Sequence, residues 1–281
     1  MIKNAKARKA FFKGLKIFSY ITTIFTLAAL IFIIAFVLIG GINKVPLKQL
    51  FGDGSDGASI LPAIYGTLAL LAIALIIAIP LGIGAAVFLT EYTNKKSKVV
   101  KIIRIATETL AGIPSIVYGL FGYLIFVAAF KMGYTLLGGG LTLSIMILPV
   151  IVRSTEESLI SVPQGIREGS YALGTSKVRT IFKVVLPSCA SGIVTSVILA
   201  AGRVISESAV LILTIGQVID IIPKNALSPG TSLALDIYYF YNYGYPDEAA
   251  ATSVVLIILI LFINALATLS GKLIARKTGE K

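Results

Sequence analysis

Residues 60–89 read ILPAIYGTLALLAIALIIAIPLGIGAAVFL, an unbroken run without an Asp, Glu, Lys or Arg. A helix needs about 20 apolar residues to cross the hydrocarbon core of a bilayer, and this run exceeds that length. Four more charge-free stretches reach it, at residues 17–39, 109–130, 132–152 and 249–271. A sixth apolar region, residues 186–219, is long enough but contains Arg203 and Glu207. The pattern predicts an all-α polytopic membrane protein with six transmembrane helices. The whole chain, residues 1–281, reads as one transmembrane domain, with a basic tail and first helix at 1–41 and a core at about 60–275. The first stretch is longer than a signal-peptide core and no convincing small-x-small cleavage pattern follows it, so it is expected to be retained.

Composition agrees. Hydrophobic residues make up 57% of the chain, charged residues only 14%, and the mean hydropathy is +0.94; a soluble domain carries about 25% charge. The chain has no histidine, which excludes histidine base catalysis and His-ligated metal. No metal site is expected. Cys189 is the only cysteine, so an internal disulfide is excluded. A Gly-x-x-x-x-Gly-Lys-Ser/Thr phosphate loop is missing, so the chain is read as a non-enzyme with no ATPase site and no cofactor of its own. The net charge of +12 would point to nucleic acid in a soluble protein. Its distribution points instead to lipid and topology. Segments 1–16, 91–108, 153–187 and 272–281 hold six, five, five and four Lys/Arg, while the alternate loops hold only Lys44, Lys48, Lys131 and Lys224. By the positive-inside rule both termini are cytoplasmic.

The outer loops differ in kind. Residues 42–59 include Gly52, Asp53, Gly54, Asp56 and Gly57, a turn-rich segment. Residues 217–248 carry Tyr238, Tyr239, Tyr241, Tyr243 and Tyr245, read either as an aromatic belt at the membrane surface or as a docking surface. The Gly138-Gly139-Gly140 run at which the fourth span begins permits unusual backbone dihedrals.

The cytoplasmic segment between the fourth and fifth spans, residues 161–187, is the most informative. It offers a short helix over 163–173 with Arg167 and Glu168 exposed, Gly174 at its stop, and a second amphipathic helix leading to Pro187 in the first turn of the next span. A helix lying on that face fits a groove on a soluble partner. Glu168-Gly169-Ser170, three residues, Gly174, nine residues, Val184, one residue, then Leu186-Pro187 resembles the EAA loop of ABC-importer permeases. Gly169 and Ser170 stand where that loop has two alanines, and Val184 where it has isoleucine. The resemblance implies a MetI-like (type I importer) permease bundle whose loop, through Arg167, Glu168, Gly169, Ser170, Gly174, Leu186 and Pro187, couples to an ATPase subunit.

Three further segments resemble the phosphate permeases, of the PstA type rather than the PstC type. They are residues 112–122 (GIPSIVYGLFG), residues 138–143 leading to 148–157, and residues 202–211 (GRVISESAVL). The resemblance implies import of inorganic phosphate with a PstC-type second permease, a PstB-type ATP-binding dimer and an extracytoplasmic phosphate-binding protein in a prokaryotic cytoplasmic membrane. Another oxyanion or small solute stays open as substrate. An ion-coupled secondary transporter is disfavoured because no internal repeat is visible.

Intramembrane charge is costly, about 2.5–3.5 kcal/mol per residue on insertion scales, so Arg203 and Glu207 need a reason. At i and i+4 they would share a helix face and pair. Two readings stay open: a packing pair, or a guanidinium lining the substrate path with Glu207 as its support. Pro114 is expected to kink its helix and to expose Ser115 and Tyr118 to a cavity, or merely to serve packing. Arg153, Glu156 and Glu157, at the membrane edge, form either a surface salt-bridge cluster or a support that orients the loop.

Overall fold

The computed structural model describes residues 5–42, 44, 59–93 and 97–278. The turn-rich segment Gly52–Gly57 lies outside the described residues. Every regular element among those described is helical. In order they are α1 (Ala5–Gly41), α2 (Leu61–Val87, prolonged by a π turn Phe88–Tyr92), α3 (Lys98–Ala111) and α4 (Ser115–Gly122, running on through a π stretch Tyr123–Ala129). Then come α5 (Leu136–Ser161), α6 (Gln164–Ala172) and α7 (Lys177–Thr180, with a π turn Ile181–Val185 and a last turn Leu186–Ser188). The remainder are α8 (Ala190–Ile205), α9 (Ala209–Thr214), α10 (Leu233–Asn242) and α11 (Pro246–Thr278).

Four helical stretches are unbroken and long enough to span: Phe11–Gly41, Leu61–Tyr92, Leu136–Ser161 and Pro246–Lys272. The other two expected spans are bent pairs. Lys98–Ala111 meets Ser115–Ala129 at 100°, and Lys177–Ser188 meets Ala190–Ile205 at 69°. The six-span expectation therefore holds with each bent pair taken as one span, and its boundaries change. Residues 109–111 belong to α3, because Pro114, with φ −58° and ψ 140°, stops one helix and starts the next. Proline supplies no N–H and disfavours a helical residue before it. The anticipated kink is thus a full break. Pro187 likewise sits in the last turn before the bend at Cys189, not in the first turn of the span after it.

The core lies where α2 and α5 run against each other, with α8 and α9 closing one side. Leu70, Leu143, Met146, Ile147, Ile151, Leu211 and Ile215 are fully buried there. The Gly138–Gly140 run is ordinary helix inside α5, which corrects the expectation of unusual dihedrals. These glycines act by size: a Cβ on Gly139 would strike Ile215 and one on Gly140 would strike Ile73. Such close approach replaces the hydrophobic drive that lipid cannot supply between helices. α1 is almost wholly exposed and packs on α11, with Gly41 against the Ala250 carbonyl.

The end of the bundle that carries α6 and α7 is here termed the loop face. At the opposite face an irregular segment, residues 215–232, folds over the start of α5. The Leu136 and Leu137 N–H groups, which have no partner within their helix, donate to the carbonyls of Ser228 (3.0 Å) and Ala226 (2.7 Å). The Leu233 N–H donates to Thr67 Oγ1 of α2 at 3.0 Å, and the Thr231 carbonyl lies directly against Gly66. A methyl group on Gly66 would overlap that carbonyl oxygen. Overpacking of this kind costs about 1–3 kcal/mol. Gly66→Ala is therefore expected to lower the thermal unfolding midpoint in detergent, whereas Gly84→Ala, whose new methyl meets nothing within 4 Å, does not. Equal midpoints for the two variants would remove the cap from the account of stability.

Candidate coupling loop and substrate path

The loop face is organised by a buried ion pair. Arg167 of α6 points inward and not toward solvent, which corrects the exposure expected for it. Its Nη2 and Nε donate to Glu91 Oε1 at 2.7 and 3.1 Å. Its Nη1 donates to the Val162 carbonyl at 2.7 Å and its Nη2 to the Leu159 carbonyl at 2.9 Å. One guanidinium thus joins α6 to the π turn that ends α2 and to the last turn of α5. The forked donors of arginine suit this arrangement and a lysine would not replace them. The sequence reading missed Glu91 because it lies two residues beyond the charge-free run, where an acid reads as ordinary loop.

Ser170, one of the two departures from the alanines of the resembled loop, has a structural explanation. Its hydroxyl lies 2.7 Å from Thr175 Oγ1 and 2.9 Å from Thr180 Oγ1, and those two are 2.9 Å apart. Thr175 Oγ1 also donates to the Ser170 carbonyl at 2.7 Å. Three hydroxyls that satisfy one another, those of Ser170 and Thr180 buried and that of Thr175 partly so, fasten α6 to α7, where an alanine would only fill space. Gly174 takes φ +76°, the left-handed stop expected of it. Gly169 and Glu168 remain exposed, together with Ile166, Tyr171 and, at 85% exposure, Leu173. Leu186 packs against the buried cluster of Leu159, Ile181 and Val185 under the loop, with Pro187 beside it in the same turn.

Arg153, Glu156 and Glu157 come together with residues of α3. Arg153 Nε donates to Glu157 Oε1 at 3.1 Å, and Arg153 lies 3.6 Å from Glu108. The half-buried Arg104, unanticipated from sequence, pairs with the buried Glu156. These pairs and the single buried knob Val100 attach α3 to α5 and to the end of α2.

The path candidates divide. Tyr118 is buried, and its hydroxyl donates to the Leu110 carbonyl at 2.8 Å, bridging the break between α3 and α4. Ser115 opens α4 beside that break. α8 ends at Ile205, so Arg203 and Glu207 do not share a helix face, and among the described residues no ion pair joins them. This corrects the expected i,i+4 pair. Glu207 Oε1 instead accepts from the Val210 N–H at 3.3 Å, capping α9. The helix gives way at Ser206, whose hydroxyl turns back to the Gly202 carbonyl at 2.9 Å. Arg203 is half-buried, and its neighbour Val204 belongs to the same buried cluster as Tyr118. The structure therefore brings Arg203 and Tyr118 into one neighbourhood and leaves the guanidinium outside any ion pair among the described residues.

At the opposite face Asp236 of α10, outside the spanning helices, is fully buried. Thr231 Oγ1 donates to its Oδ1, while Oδ2 has no partner. Burial pushes its pKa up from 3.8 to about 7; the Thr231 hydrogen bond lowers it in part, and the charge of Asp220 adds to the rise. Sequence could not reveal this, since Asp236 reads as one acid in a polar loop.

Two predictions follow from these contacts. Removing one member of a buried pair costs about 3–5 kcal/mol because the other is left uncompensated. Glu91→Ala is expected to lower the unfolding midpoint and to loosen α6, read as faster amide exchange over residues 164–172; unchanged exchange there would contradict the tethering role. Asp236 binds its proton more tightly folded than unfolded, so it favours folding fully below pH 3.8 and loses that contribution as pH rises toward about 7. The midpoint should fall across that window in the wild type, and Asp236→Asn should flatten the slope. A slope that survives the substitution would assign it to another group.

Residues 78–280 match the family described as the binding-protein-dependent transport system inner membrane component. The chain is 35% identical over 269 residues to the probable ABC transporter permease protein YqgI of Bacillus subtilis, covering 89% of this chain and 91% of that one. It is 34% identical over 213 residues to the phosphate transport system permease protein PstA 1 of Mycobacterium tuberculosis, covering 74% and 68%. Its fold is that of a chain of the bacterial alginate ABC transporter, solved with an alginate pentasaccharide-bound periplasmic protein, at a TM-score of 0.66 and 13% identity over 96% of both chains. An all-α bundle, a loop fastened through Arg167 and a match over residues 78–280 together place the chain in the binding-protein-dependent transport system inner membrane component family, the membrane-embedded transport subunits of ABC importers.

Proposed function

We propose that this chain is a permease subunit of an ATP-driven importer of inorganic phosphate, oriented with α6, α7 and both termini in the cytoplasm. The observation that carries the substrate is Arg203, a guanidinium within the broken fifth span that is left outside any ion pair among the described residues and lies near Tyr118. An arginine fork suits phosphate oxygens. Glu207, engaged in capping α9, supports the local backbone and not the anion. The 34% identity to a phosphate transport permease supports the same substrate. The charge distribution supports the orientation, because the loop face collects the basic segments.

In this reading a PstC-type permease completes the path, a phosphate-binding protein delivers the anion at the α10 face, and a PstB-type ATPase dimer supplies ATP turnover. No cofactor is held by this chain. The ATPase contacts Glu168, Gly169, Ile166, Tyr171 and Leu173, the outward side of α6, while Arg167, Ser170, Gly174, Leu186 and Pro187 hold that side in place from within. Arg153, Glu156 and Glu157 carry loop movement to α3 and so to the break at residues 112–114. The exposed tyrosines of the 238–245 stretch flank the face where the binding protein docks.

The test is radiolabelled phosphate uptake into liposomes holding the chain with its partner permease, ATPase and binding protein. Arg203→Ala is expected to abolish ATP-dependent uptake while the subunits still co-purify; normal uptake by that variant would end the assignment. Leu173→Asp, at an exposed position, is expected to release the ATPase subunit with the unfolding midpoint unchanged. Retained association would move the docking surface elsewhere.

A further inference from the structure

A cleft of about 550 Å³ opens between α2 and α7, lined by Pro80, Ile83, Gly84, Val87, Phe88, Tyr92, Phe182 and Leu186. Every lining side chain except the Tyr92 hydroxyl is apolar. Phe88, Tyr92 and Phe182 are about half exposed or more. The cleft occupies the last turns of a spanning helix, from Pro80 to Tyr92, which at 1.5 Å per residue is roughly 18 Å deep. That is about one leaflet of hydrocarbon. At its mouth the ammonium of Lys177 sits 4.8 Å from the centre of the Tyr92 ring. Lys183 is exposed, follows Phe182 in sequence and lies one turn from Leu186. Glu91, the acid nearest this mouth in sequence, is buried and engaged by Arg167 and so does not offset these cations.

An apolar slot one leaflet deep, with Lys177 at its mouth and the exposed Lys183 beside its lining residue Phe182, matches one ligand chemistry. We infer that this cleft is a binding site for an anionic membrane phospholipid, with an acyl chain along Gly84 and Phe88 and the phosphate headgroup on Lys177 and Lys183. Gly84 is the position that keeps the slot open: a Cβ there meets nothing within 4 Å, so the glycine is not needed for helix packing. Pro80, inside α2, lines the far end of the slot from Tyr92 and supplies no backbone N–H there. Basic pockets between membrane helices select lipid headgroups in this way. Because α7 carries Lys177 and is fastened to α6 through Thr180 and Ser170, a bound lipid would brace the loop from the membrane side. This site lies apart from the Arg203 neighbourhood, and its test does not depend on what the permease transports.

The chain contains no tryptophan, so Phe182→Trp creates a single fluorescent reporter in the cleft. The full chain carrying it is placed in phosphatidylcholine nanodiscs containing an equal fraction of either brominated phosphatidylglycerol or brominated phosphatidylcholine, and quenching is compared. The anionic lipid is expected to quench more strongly, with an apparent affinity higher by about fivefold for each lysine. Lys177→Gln with Lys183→Gln should remove the preference while quenching by both lipids persists. Gly84→Leu should reduce quenching by both, with the unfolding midpoint retained as proof of folding. Equal quenching by the two lipids in the chain with both lysines would overturn the anionic site. Loss of quenching when the partner permease is added would assign the cleft to a subunit interface and overturn it as well.

Discussion

Hydrocarbon offers no hydrogen bond to an open backbone, and this constraint governs where the chain is allowed to stop being helical. Both breaks flanking the Arg203 neighbourhood are closed from within. At residues 112–114, the Gly112 N–H reaches the Thr109 carbonyl at 3.1 Å, the Ile113 N–H reaches the Leu110 carbonyl at 3.1 Å, and the Tyr118 hydroxyl fills the remaining valence of Leu110. At residues 206–208, Ser206 and Glu207 return their N–H groups to Gly202 and Val204, and the Glu207 carboxylate takes the Val210 N–H. A broken helix that satisfies its own backbone can expose polar surface to a path without opening the bundle to lipid. Arg203 then keeps its guanidinium for something other than local repair.

The loop face follows the opposite principle, with charge buried beneath an exposed helix surface. Arg167 makes four hydrogen bonds to three acceptors, on Glu91, Val162 and Leu159, and the Ser170, Thr175 and Thr180 hydroxyls form a closed triangle. Buried pairs of this sort contribute little net stability against a well-packed apolar alternative, but they define one geometry. The value of the arrangement lies in stiffness. α6 is held to α2 and α5, the two helices whose close-packed glycine contacts make up the core, so displacement of α6 displaces the core.

Much of this was legible in the sequence because lipid imposes a coarse rule. Charge-free runs located α1, α2, α5 and α11, and the spacing from Glu168 to Pro187 located the loop. The stop at Gly174 was legible because only a residue without a side chain adopts φ +76° at no cost. What escaped is what depends on the third dimension. Arg167 and Glu168 are neighbours in sequence, yet one turns in and the other out, and only the position of Glu91, far earlier in the chain, decides which. Arg203 and Glu207 have the spacing of a helical pair, and that reading fails because α8 ends between them. Periodicity assumes the helix continues, and residues 202–208, with Gly202 and three polar residues after Ile205, weaken that assumption without cancelling it. Asp236 escaped because burial of a single carboxyl leaves no pattern in composition.

Stiffly and loosely attached parts of the chain lie side by side at the loop face. α3 is joined to the rest by Val100, by the Arg104–Glu156 pair and by the Arg153–Glu108 contact, all on one face, and it turns 100° from α4 at a closed break. Few apolar contacts and partly exposed ion pairs mark an element that moves at low cost. Its attachment point on α5, Glu156, lies five residues before Ser161, where α5 passes into the segment leading to α6. Rotation of α6 by an ATPase subunit would thus reach α3 through α5 while the α2–α5 core stays intact, and the break at residues 112–114 would take up the angle. ATP turnover drives such a change only through contacts that differ between the two arrangements. The ion pairs along α3 are the contacts here best suited to differ, because parting them uncovers little apolar core.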